Sequence, residues 1–410
     1  MQQFDVIIAG GGPGGLSAAE AVAKTGASVL VLEQNREIGS PARTTGGSFV
    51  QDMKALGIPE GLYHTIKRCR YISPHNSVSF TYEDEPVTCV LDVRGVFQFL
   101  AERAIDAGAK ISVGTTAGDP VLTNGVVTGI KAKTPTVPEL EYQSKVLIDA
   151  TGYRSQLLKQ AGVSPGSKRF GVGSEYDLYA PYCDQDEAVL IVGSQIAPAG
   201  YAWIFPWGHK RVRVGVGILH TDSDAHPDQY LDILIERSAE FGVNLKGAQP
   251  VEYHFGLVPS DGVLDDFVGD GIMAVGDAAG QPSALVGEGI RWAIKAGRMA
   301  GEVAGDAVQA NDFSKEFLSR YQKQWNAKFG KNLRIAYEIN RKVAQWDDDK
   351  WDQKTELLKL FTPHQFGQAL QANFVAGWAF QLLWSHPKLL KEGFKELKDR
   401  LGLGALTTPR

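Results

Sequence analysis

Cysteine is scarce in this sequence, which has only three among its 410 residues: Cys69, Cys89 and Cys183. No two of them have the short spacing that is typical of paired zinc ligands or of iron–sulfur cluster ligands. A disulfide framework, a cysteine-based zinc site and an iron–sulfur cluster are therefore excluded as the basis of the fold. We expect no metal at the functional site.

The sequence also lacks long basic runs and long apolar runs. The formal net charge is −5 and no basic stretch is long enough to follow a phosphate backbone, so nucleic acid is not an expected partner. The N-terminus enters a strand pattern at once, without the basic segment and apolar core of a secretory signal. The apolar stretch 374–384 is shorter than the roughly 20 residues that cross a bilayer. These absences predict a cytoplasmic protein.

What the sequence does contain, at its start, is the pattern of a dinucleotide-binding β-α-β unit. An apolar run at 4–9 predicts a buried parallel strand, a glycine-rich turn and a helical pattern follow, and a second apolar run ends at Glu33. Gly10 permits the tight turn, Gly12 lets a pyrophosphate approach the backbone, and Gly15 lets the helix pack on the strand. Glu33 is expected to accept hydrogen bonds from ribose hydroxyls. The predicted ADP-binding residues are Gly10, Gly12, Pro13, Gly14, Gly15, Glu33 and Gln34.

Two later segments favour FAD over NAD as the bound dinucleotide. The first, 146–152, is an apolar strand that ends in a small-residue turn at Gly152. The second, 271–280, is a short strand that breaks at Gly276-Asp277, and a loop and a helix pattern follow it. FAD needs a second helix N-terminus near its flavin end and an acceptor for its ribitol hydroxyls. Asp277 fits the acceptor role. Gly276, Gly287 and the backbone of Gly289 and Ile290 are expected to approach the flavin end.

With one further segment, the chain resembles the geranylgeranyl reductase family, within the para-hydroxybenzoate hydroxylase superfamily of flavoproteins. That segment is Gly-Tyr-Ala-Trp-Ile-Phe-Pro-Trp-Gly at 200–208, followed by Arg-Val-Gly-Val-Gly at 213–217, and it is similar to the family's YxWxFPxG pattern. The match covers nearly the whole chain. The resemblance implies hydride transfer from reduced flavin N5 to a double bond of an isoprenoid or related apolar substrate. It also implies that Arg94 is a charge partner near the cofactor, and Ala117 is a further expected contact.

Two regions are candidates for the flavin face. A loop soon after Glu33 supplies Arg43, Thr44, Thr45 and Gly47, which are expected to contact the cofactor. Related reductases often carry a cysteine where this sequence has Thr44, so a catalytic role for Thr44 and simple wrapping of the cofactor both stay open. The other candidates for catalysis are Tyr201, Trp203 and Phe205. They alternate along a predicted strand and so share one face, which is expected to line the substrate cavity or else to be ordinary sheet core.

These features predict an α/β fold with three parts. A discontinuous Rossmann-type FAD-binding domain is expected in 1–65, 90–165 and 265–310. An antiparallel sheet around the substrate cavity is expected in 66–89 and 166–264, and a helical region in 311–410. The predicted strands of the cavity sheet are 78–82, 87–91, 170–176, 188–194, 201–205 and 212–219.

The last third of the chain carries four tryptophans, Trp346, Trp351, Trp378 and Trp384, and the four lysines Lys388, Lys391, Lys395 and Lys398. Such a pattern is typical of a helix that docks on a membrane surface. Glu392, Glu396 and Asp399 dilute the charge and pair with the lysines at helical spacing, which favours an ordinary solvated helix. Peripheral membrane contact stays an alternative.

Electron supply and reaction type are left open by the sequence. A second GxGxxG for NADPH is not present, so NADPH or a small carrier such as ferredoxin could supply electrons. The same scaffold also serves flavin monooxygenases and halogenases. A non-catalytic prenyl-binding protein is a further alternative, but the intact Gly276-Asp277 element favours a retained flavin.

Overall fold

The structure of the protein, a computed structural model, describes residues 2–374 and consists of three β-sheets and ten α-helices in that range. The strands are β1 (Gln2–Ala9), β2 (Val29–Leu32), β3 (Gly47–Phe49), β4 (Tyr63–Ile66), β5 (Arg68–Ile72), β6 (Ser77–Thr81), β7 (Thr88–Leu91), β8 (Lys110–Ser112), β9 (Thr116–Thr123), β10 (Val126–Lys133), β11 (Leu140–Asp149), β12 (Phe170–Tyr179), β13 (Glu187–Gly193), β14 (Ala197–Gly208), β15 (Arg211–Leu219), β16 (Gln249–Pro259), β17 (Val268–Gly269) and β18 (Ile272–Ala274).

The α-helices are α1 (Pro13–Lys24), α2 (Val50–Leu56), α3 (Val93–Asp106), α4 (Gln156–Gln160), α5 (Pro227–Glu236), α6 (Ile290–Ala310), α7 (Lys315–Trp325), α8 (Lys331–Val343), α9 (Asp348–Leu358) and α10 (Pro363–Leu370). Short 3₁₀ helices occur at Glu60–Leu62, Gly152–Arg154, Ser238–Phe241 and Gly276–Ala279. A π-helical segment, Asn326–Gly330, joins α7 to α8.

The first sheet is the predicted Rossmann-type sheet. Its order is β17-β18-β11-β1-β2-β8, with β1 parallel to both β2 and β11. Helices α1 and α6 pack directly on each other. A Cβ added at Gly297 would lie 2.1 Å from the carbonyl oxygen of Gly14, and one at Gly301 would lie 2.5 Å from that of Ala18. Only glycine permits this approach, so small residues fix the relative positions of the two helices.

The second sheet has the order β16-β12-β15-β14-β13-β5-β6 and is antiparallel except for the β13–β5 pair. Side chains of β14 alternate between its two faces. Ala202 and Ile204 belong to an apolar cluster with α5 residues, whereas Tyr201, Trp203 and Phe205 line a cavity on the opposite face. The predicted alternation is therefore confirmed.

One strand prediction was wrong in its pairing. The segment 87–91 does form a strand, β7, but β7 pairs with β3 and β4 in a separate three-stranded sheet. Alternation of apolar residues identifies a strand without identifying its partner. The other five predicted strands do lie in the second sheet, which also contains β5 and β16 from segments that were not predicted.

The described end of the chain is helical, as predicted, from α7 to α10. Residues of α8, α9 and α10 lie over the cavity face of the second sheet, where Phe366 stacks on Phe80 with ring centroids 4.1 Å apart. The lysine-rich segment lies outside the described residues. No helix of residues 2–374 has the length and apolar character needed to cross a membrane.

Candidate functional site

The turn between β1 and α1 has the geometry that a pyrophosphate needs. Gly10 has φ +118°, and an added Cβ there would lie 2.1 Å from the carbonyl oxygen of Ala150. A Cβ at Gly15 would lie 2.0 Å from the carbonyl oxygen of Gly10. A Cβ at Gly12, by contrast, would meet nothing within 4 Å. Gly10 thus allows close approach to the end of β11, and Gly15 allows α1 to pack against the turn. Gly12 faces open space beside the N-terminus of α1, which begins at Pro13 and has no side-chain cap.

Glu33 lies beside this turn, at the end of β2. Its buried carboxylate accepts hydrogen bonds from the backbone N–H groups of Gly11 at 2.8 Å and Asn35 at 2.7 Å. The acid is thus held where the fingerprint places a ribose acceptor. The neighbouring Gln34 is exposed, so its cofactor contact stays a prediction.

A second turn, at the end of β11, is organised by Asp149, to which the sequence analysis gave no role. One carboxylate oxygen accepts hydrogen bonds from the backbone N–H and the hydroxyl of Thr151, at 3.0 and 2.6 Å. The other accepts one from the backbone N–H of Leu158 at 2.9 Å. Burial raises the pKa of this carboxyl. These bonds fix the turn at Gly152, where φ is +75° and an added Cβ would again meet nothing within 4 Å.

Asp277 lies where the flavin end of the cofactor is expected. No group among residues 2–374 donates a hydrogen bond to its side chain, and burial raises its pKa to about 6. The carboxylate is close to the N-terminus of α6, because a Cβ added at Gly289 would lie 3.4 Å from Asp277 Oδ1. A half-buried carboxylate that accepts no hydrogen bond from the described residues fits the hydroxyls of a ribitol chain. Together with the two open glycine turns, it shows that these residues fit FAD.

The loop that carries Arg43, Thr44, Thr45 and Gly47 borders the cavity, as do Gly287, Gly289 and Ile290 from the loop before α6. Arg213 holds the first loop in place. Its buried guanidinium donates to the carbonyl oxygen of Leu91 at 2.9 Å and to that of Thr45, and it pairs with Asp177.

Two predicted cofactor residues lie in other surroundings. Arg94 forms an ion pair with Glu37, and its side chain is mostly exposed. Ala117 lies in β9, pairs with Ala132 of β10 and packs against the apolar cluster around β1 and β11. Contacts of these two residues with the cofactor stay predictions.

A cavity of about 580 Å³ extends from these loops between the second sheet and the C-terminal helices. The volume falls within the ordinary range for small-molecule sites. Apolar side chains from the helical wall include Ile339, Val343, Trp351, Leu358, Phe361 and Phe366. This wall could not be predicted from the sequence, because helical periodicity does not identify the surface on which a helix packs.

The Trp203 ring packs against two glycines of the neighbouring strand, β15. A Cβ added at Gly215 would lie 2.3 Å from the Trp203 ring, and one at Gly217 would lie 3.2 Å from it. This contact explains the Gly-Val-Gly sequence of β15. Tyr201 donates a hydrogen bond to the carbonyl oxygen of Val286 at 2.6 Å, which joins the aromatic strand to the loop beside Asp277.

Two buried polar residues of the cavity were not anticipated. Glu175 of β12 and His254 of β16 both line it, and they share a hydrogen bond of 2.9 Å. Glu175 also accepts a hydrogen bond of 2.7 Å from Trp203 Nε1. The sequence signal that could have identified Glu175 is its position on the same face of β12 as Gly171 and Gly173, where an acidic side chain is unusual.

Comparison with known proteins identifies the family. Residues 5–173 match the FAD dependent oxidoreductase family, and residues 172–258 match the geranylgeranyl reductase catalytic domain. Digeranylgeranylglycerophospholipid reductase 2 of Methanothermobacter thermautotrophicus is 32% identical over 356 residues, which cover 85% of this chain and 90% of that protein. The chain belongs to the geranylgeranyl reductase family of FAD-dependent oxidoreductases.

Solved structures agree with this assignment. A geranylgeranyl bacteriochlorophyll reductase-like protein from Thermoplasma acidophilum has a TM-score of 0.84 and 27% identity, covering 96% of this chain and 98% of its own. The myxobacterial chondrochloren halogenase has a TM-score of 0.66 and 17% identity, with 82% of each chain covered, and shows the shared fold alone. Membership of the geranylgeranyl reductase family confirms the predictions of an FAD-dependent enzyme and of a Rossmann-type fold.

Proposed function

We propose that this protein reduces carbon–carbon double bonds in the prenyl chains of a lipid. The observation that carries the proposal is the apolar cavity, which is continuous with the loops around Asp277 and Thr44 and is lined by Tyr201 and Trp203. A flexible isoprenoid chain matches such a lining, because its burial removes apolar surface from water. The name of the archaeal relative supports a glycerophospholipid with prenyl chains as the substrate class.

The residues of the chain have three tasks in this reaction. The Gly10–Gly15 turn, Glu33 and Asp277 would hold the cofactor, which would supply a hydride at flavin N5 when reduced. The loops at 43–47 and 281–289 form the part of the cavity where the reacting bond must lie. The helical wall of α8, α9 and α10 excludes water from that bond.

The aromatic residues stabilise charge during the reaction. An isolated trisubstituted alkene accepts a hydride poorly, so positive charge develops at its tertiary carbon. The ring faces of Trp203 and Tyr201, whose centroids are 5.6 Å apart, lie beside the cavity. Each ring contributes on the order of 1 kcal/mol of cation–π stabilisation.

We further propose that the electrons come from NADPH or from a small carrier protein such as ferredoxin, and that the protein is cytoplasmic. Anaerobic stopped-flow mixing of the oxidised holoenzyme with each donor distinguishes the two. Loss of the oxidised flavin absorbance with NADPH alone supports the nicotinamide, and loss only with the reduced carrier supports the protein.

The proposed reaction is tested by anaerobic reoxidation. The holoenzyme is reduced photochemically and mixed with a geranylgeranyl glycerophospholipid, with its saturated phytanyl analogue as the control. We expect the flavin to be reoxidised by the unsaturated lipid and to stay reduced with the saturated one. Equal behaviour with both lipids would contradict the proposal.

A further inference from the structure

Three side chains form a hydrogen-bonded chain along one face of the second sheet, from the exposed Glu252 on the edge strand β16 to the cavity. At the outer end, Glu252 Oε2 lies 3.0 Å from His254 Nε2. At the inner end, His254 Nδ1 lies 2.9 Å from Glu175 Oε1. The second oxygen of Glu175 accepts the 2.7 Å hydrogen bond from the Trp203 indole.

The burial of the three residues changes steeply along this chain. The side chain of Glu252 is 54% exposed, whereas those of His254 and Glu175 are 5% and 4% exposed. Glu175 and His254 line the cavity, and Glu252 does not. This hydrogen-bonded chain therefore connects solvent to the mostly apolar cavity between the sheet and the helices.

The charges around His254 favour its holding a proton. Burial alone lowers the pKa of the imidazole, but the hydrogen bonds to Glu175 and Glu252 outweigh this effect and the net pKa is raised. The positive charge of Arg213, from β15, acts in the opposite direction and is too weak to reverse the result. The hydrogen bond to His254 lowers the pKa of Glu252, so the outer carboxylate stays ionised and can exchange protons with water.

The proposed reduction requires a proton at this place. Hydride addition to a double bond makes one new C–H bond, and the neighbouring carbon must receive a proton to complete the second. Because the alkene is not activated, it reacts only if protonation accompanies or precedes hydride transfer. The cavity is lined mostly by apolar groups, and an acidic side chain within it can supply this proton.

We propose that the chain Glu252–His254–Glu175 delivers this proton, with Glu175 as the group that protonates the alkene. This inference rests on the proposed function. His254 passes its proton to the Glu175 carboxylate, and the resulting carboxyl gives that proton to the less substituted carbon as the π electrons form the C–H bond. The tertiary carbon would receive a hydride from bound, reduced FAD, which would be oxidised by this transfer. Glu175 is left as a carboxylate that accepts hydrogen bonds from Trp203 and His254, and His254 regains its proton from solvent through Glu252.

The contact with Trp203 gives Glu175 a second effect. An indole that donates its N–H to a carboxylate has a more electron-rich ring, which attracts positive charge more strongly. Proton delivery and charge stabilisation are therefore coupled at one pair of residues, and the tertiary carbon becomes positive next to Trp203 as the proton leaves Glu175.

Glu288 is a second buried acid at the cavity, but its surroundings differ. It forms an ion pair with Arg291 at 2.7 Å, and burial raises its pKa while the arginine opposes that effect. A guanidinium does not release its proton in proteins, so Arg291 cannot resupply Glu288. Glu175 has a partner that can be reprotonated, and this difference favours it.

The test compares Glu175→Gln with Tyr253→Phe. Tyr253 lies on the other face of β16, so this control keeps the Glu252–His254–Glu175 hydrogen bonds intact. Glutamine keeps an acceptor for Trp203 Nε1 but cannot deliver a proton. In anaerobic single turnovers with the geranylgeranyl lipid, we expect Glu175→Gln to slow flavin reoxidation about 100-fold or more, as loss of a general acid does. Reoxidation by oxygen, which does not use the substrate, should be unchanged. Tyr253→Phe should react at the parent rate.

A second measurement does not depend on turnover. The imidazole of His254 is followed by NMR over a pH titration in the parent, in Glu175→Gln and in Glu252→Gln. We expect a pKa above the ordinary value in the parent and a lower one in each variant. Because Glu252 is exposed, Glu252→Gln should fold, and it tests the proton chain even if Glu175→Gln fails to fold. Glu252→Gln should also slow alkene reduction several-fold.

The outcomes separate the two proposals. If the parent does not reduce the lipid, the proposed function fails. If the parent reduces it and folded Glu175→Gln does so at the same rate, the proton chain alone is refuted. An unchanged His254 pKa in both variants would also refute the chain.

Discussion

Replacing Gly215 by alanine should damage the cavity through one contact. A Cβ at this position would lie 2.3 Å from Trp203 Cζ2 and 2.8 Å from Nε1, and real Cβ atoms do not come closer than 3.0 Å to other heavy atoms. The indole must therefore move by most of an ångström. The hydrogen bond from its Nε1 to Glu175, now 2.7 Å, would be stretched towards the limit at which such bonds weaken.

The size of the effect follows from these two losses. Overpacking of a buried site costs about 1–3 kcal/mol, and weakening a hydrogen bond to a charged group costs up to about 1.5–3 kcal/mol. We therefore expect the free energy of unfolding to fall by about 1–6 kcal/mol, depending on how far the hydrogen bond is weakened. The indole would also be displaced in the cavity wall, so alkene reduction should slow as well if Trp203 has the proposed role.

The glycines around the same ring provide matched controls. A Cβ would lie 3.2 Å from Trp203 at Gly217 and 3.6 Å at Gly173, which are a tight contact and an ordinary one. Thermal unfolding of the three alanine variants, followed by circular dichroism, should give the order Gly173→Ala, Gly217→Ala, Gly215→Ala from most to least stable. Each variant makes the same glycine-to-alanine change in a strand, so backbone effects largely cancel. A Gly215→Ala protein as stable as Gly173→Ala would refute the packing argument.

Three further predictions concern the cofactor and the reaction. Gly12→Val should fold like the parent but bind FAD at least about tenfold more weakly, because the new side chain enters the pyrophosphate space; flavin absorbance after gel filtration measures this, and full retention would contradict it. In FAD-free protein the pKa of Asp277 is raised from its ordinary 3.8 to about 6 in the folded state. The ionised carboxylate therefore destabilises the folded state fully above pH about 6, and this destabilisation disappears as the pH falls towards 3.8. Asp277→Asn should thus be more stable than the parent by up to about 3 kcal/mol at pH about 8, with the difference closing near pH about 4, in thermal unfolding; a difference independent of pH would be inconsistent with this assignment. Trp203→Ala should slow flavin reoxidation by the prenyl lipid at least about fivefold, the effect of about 1 kcal/mol, and leave reoxidation by oxygen unchanged; an unchanged rate with the lipid would remove Trp203 from the mechanism.

Features set by local sequence could be predicted. The turn at Gly10–Gly15 needs glycine for close approach and for positive φ, so its sequence reports its geometry directly. The shared face of Tyr201, Trp203 and Phe205 follows from the two-residue period of a strand. Asp277 was recognisable because a glycine–aspartate break followed a short apolar strand.

Features set by distant pairing could not be predicted. Glu175 and His254 meet across 79 residues of sequence, and only the pairing of β12 with β16 brings them together. The partner of β7 and the helical wall of the cavity were missed for the same reason. Periodicity shows which face of an element is apolar, but it does not show what that face contacts.

The most direct test of the account is the mass of the product. The holoenzyme, reduced without oxygen, is incubated with a geranylgeranyl glycerophospholipid, and the lipid is then analysed by mass spectrometry. The account predicts a gain of two hydrogens for each double bond reduced, in amounts equal to the flavin reoxidised. A lipid recovered unchanged while the flavin stays reduced would contradict the central claim.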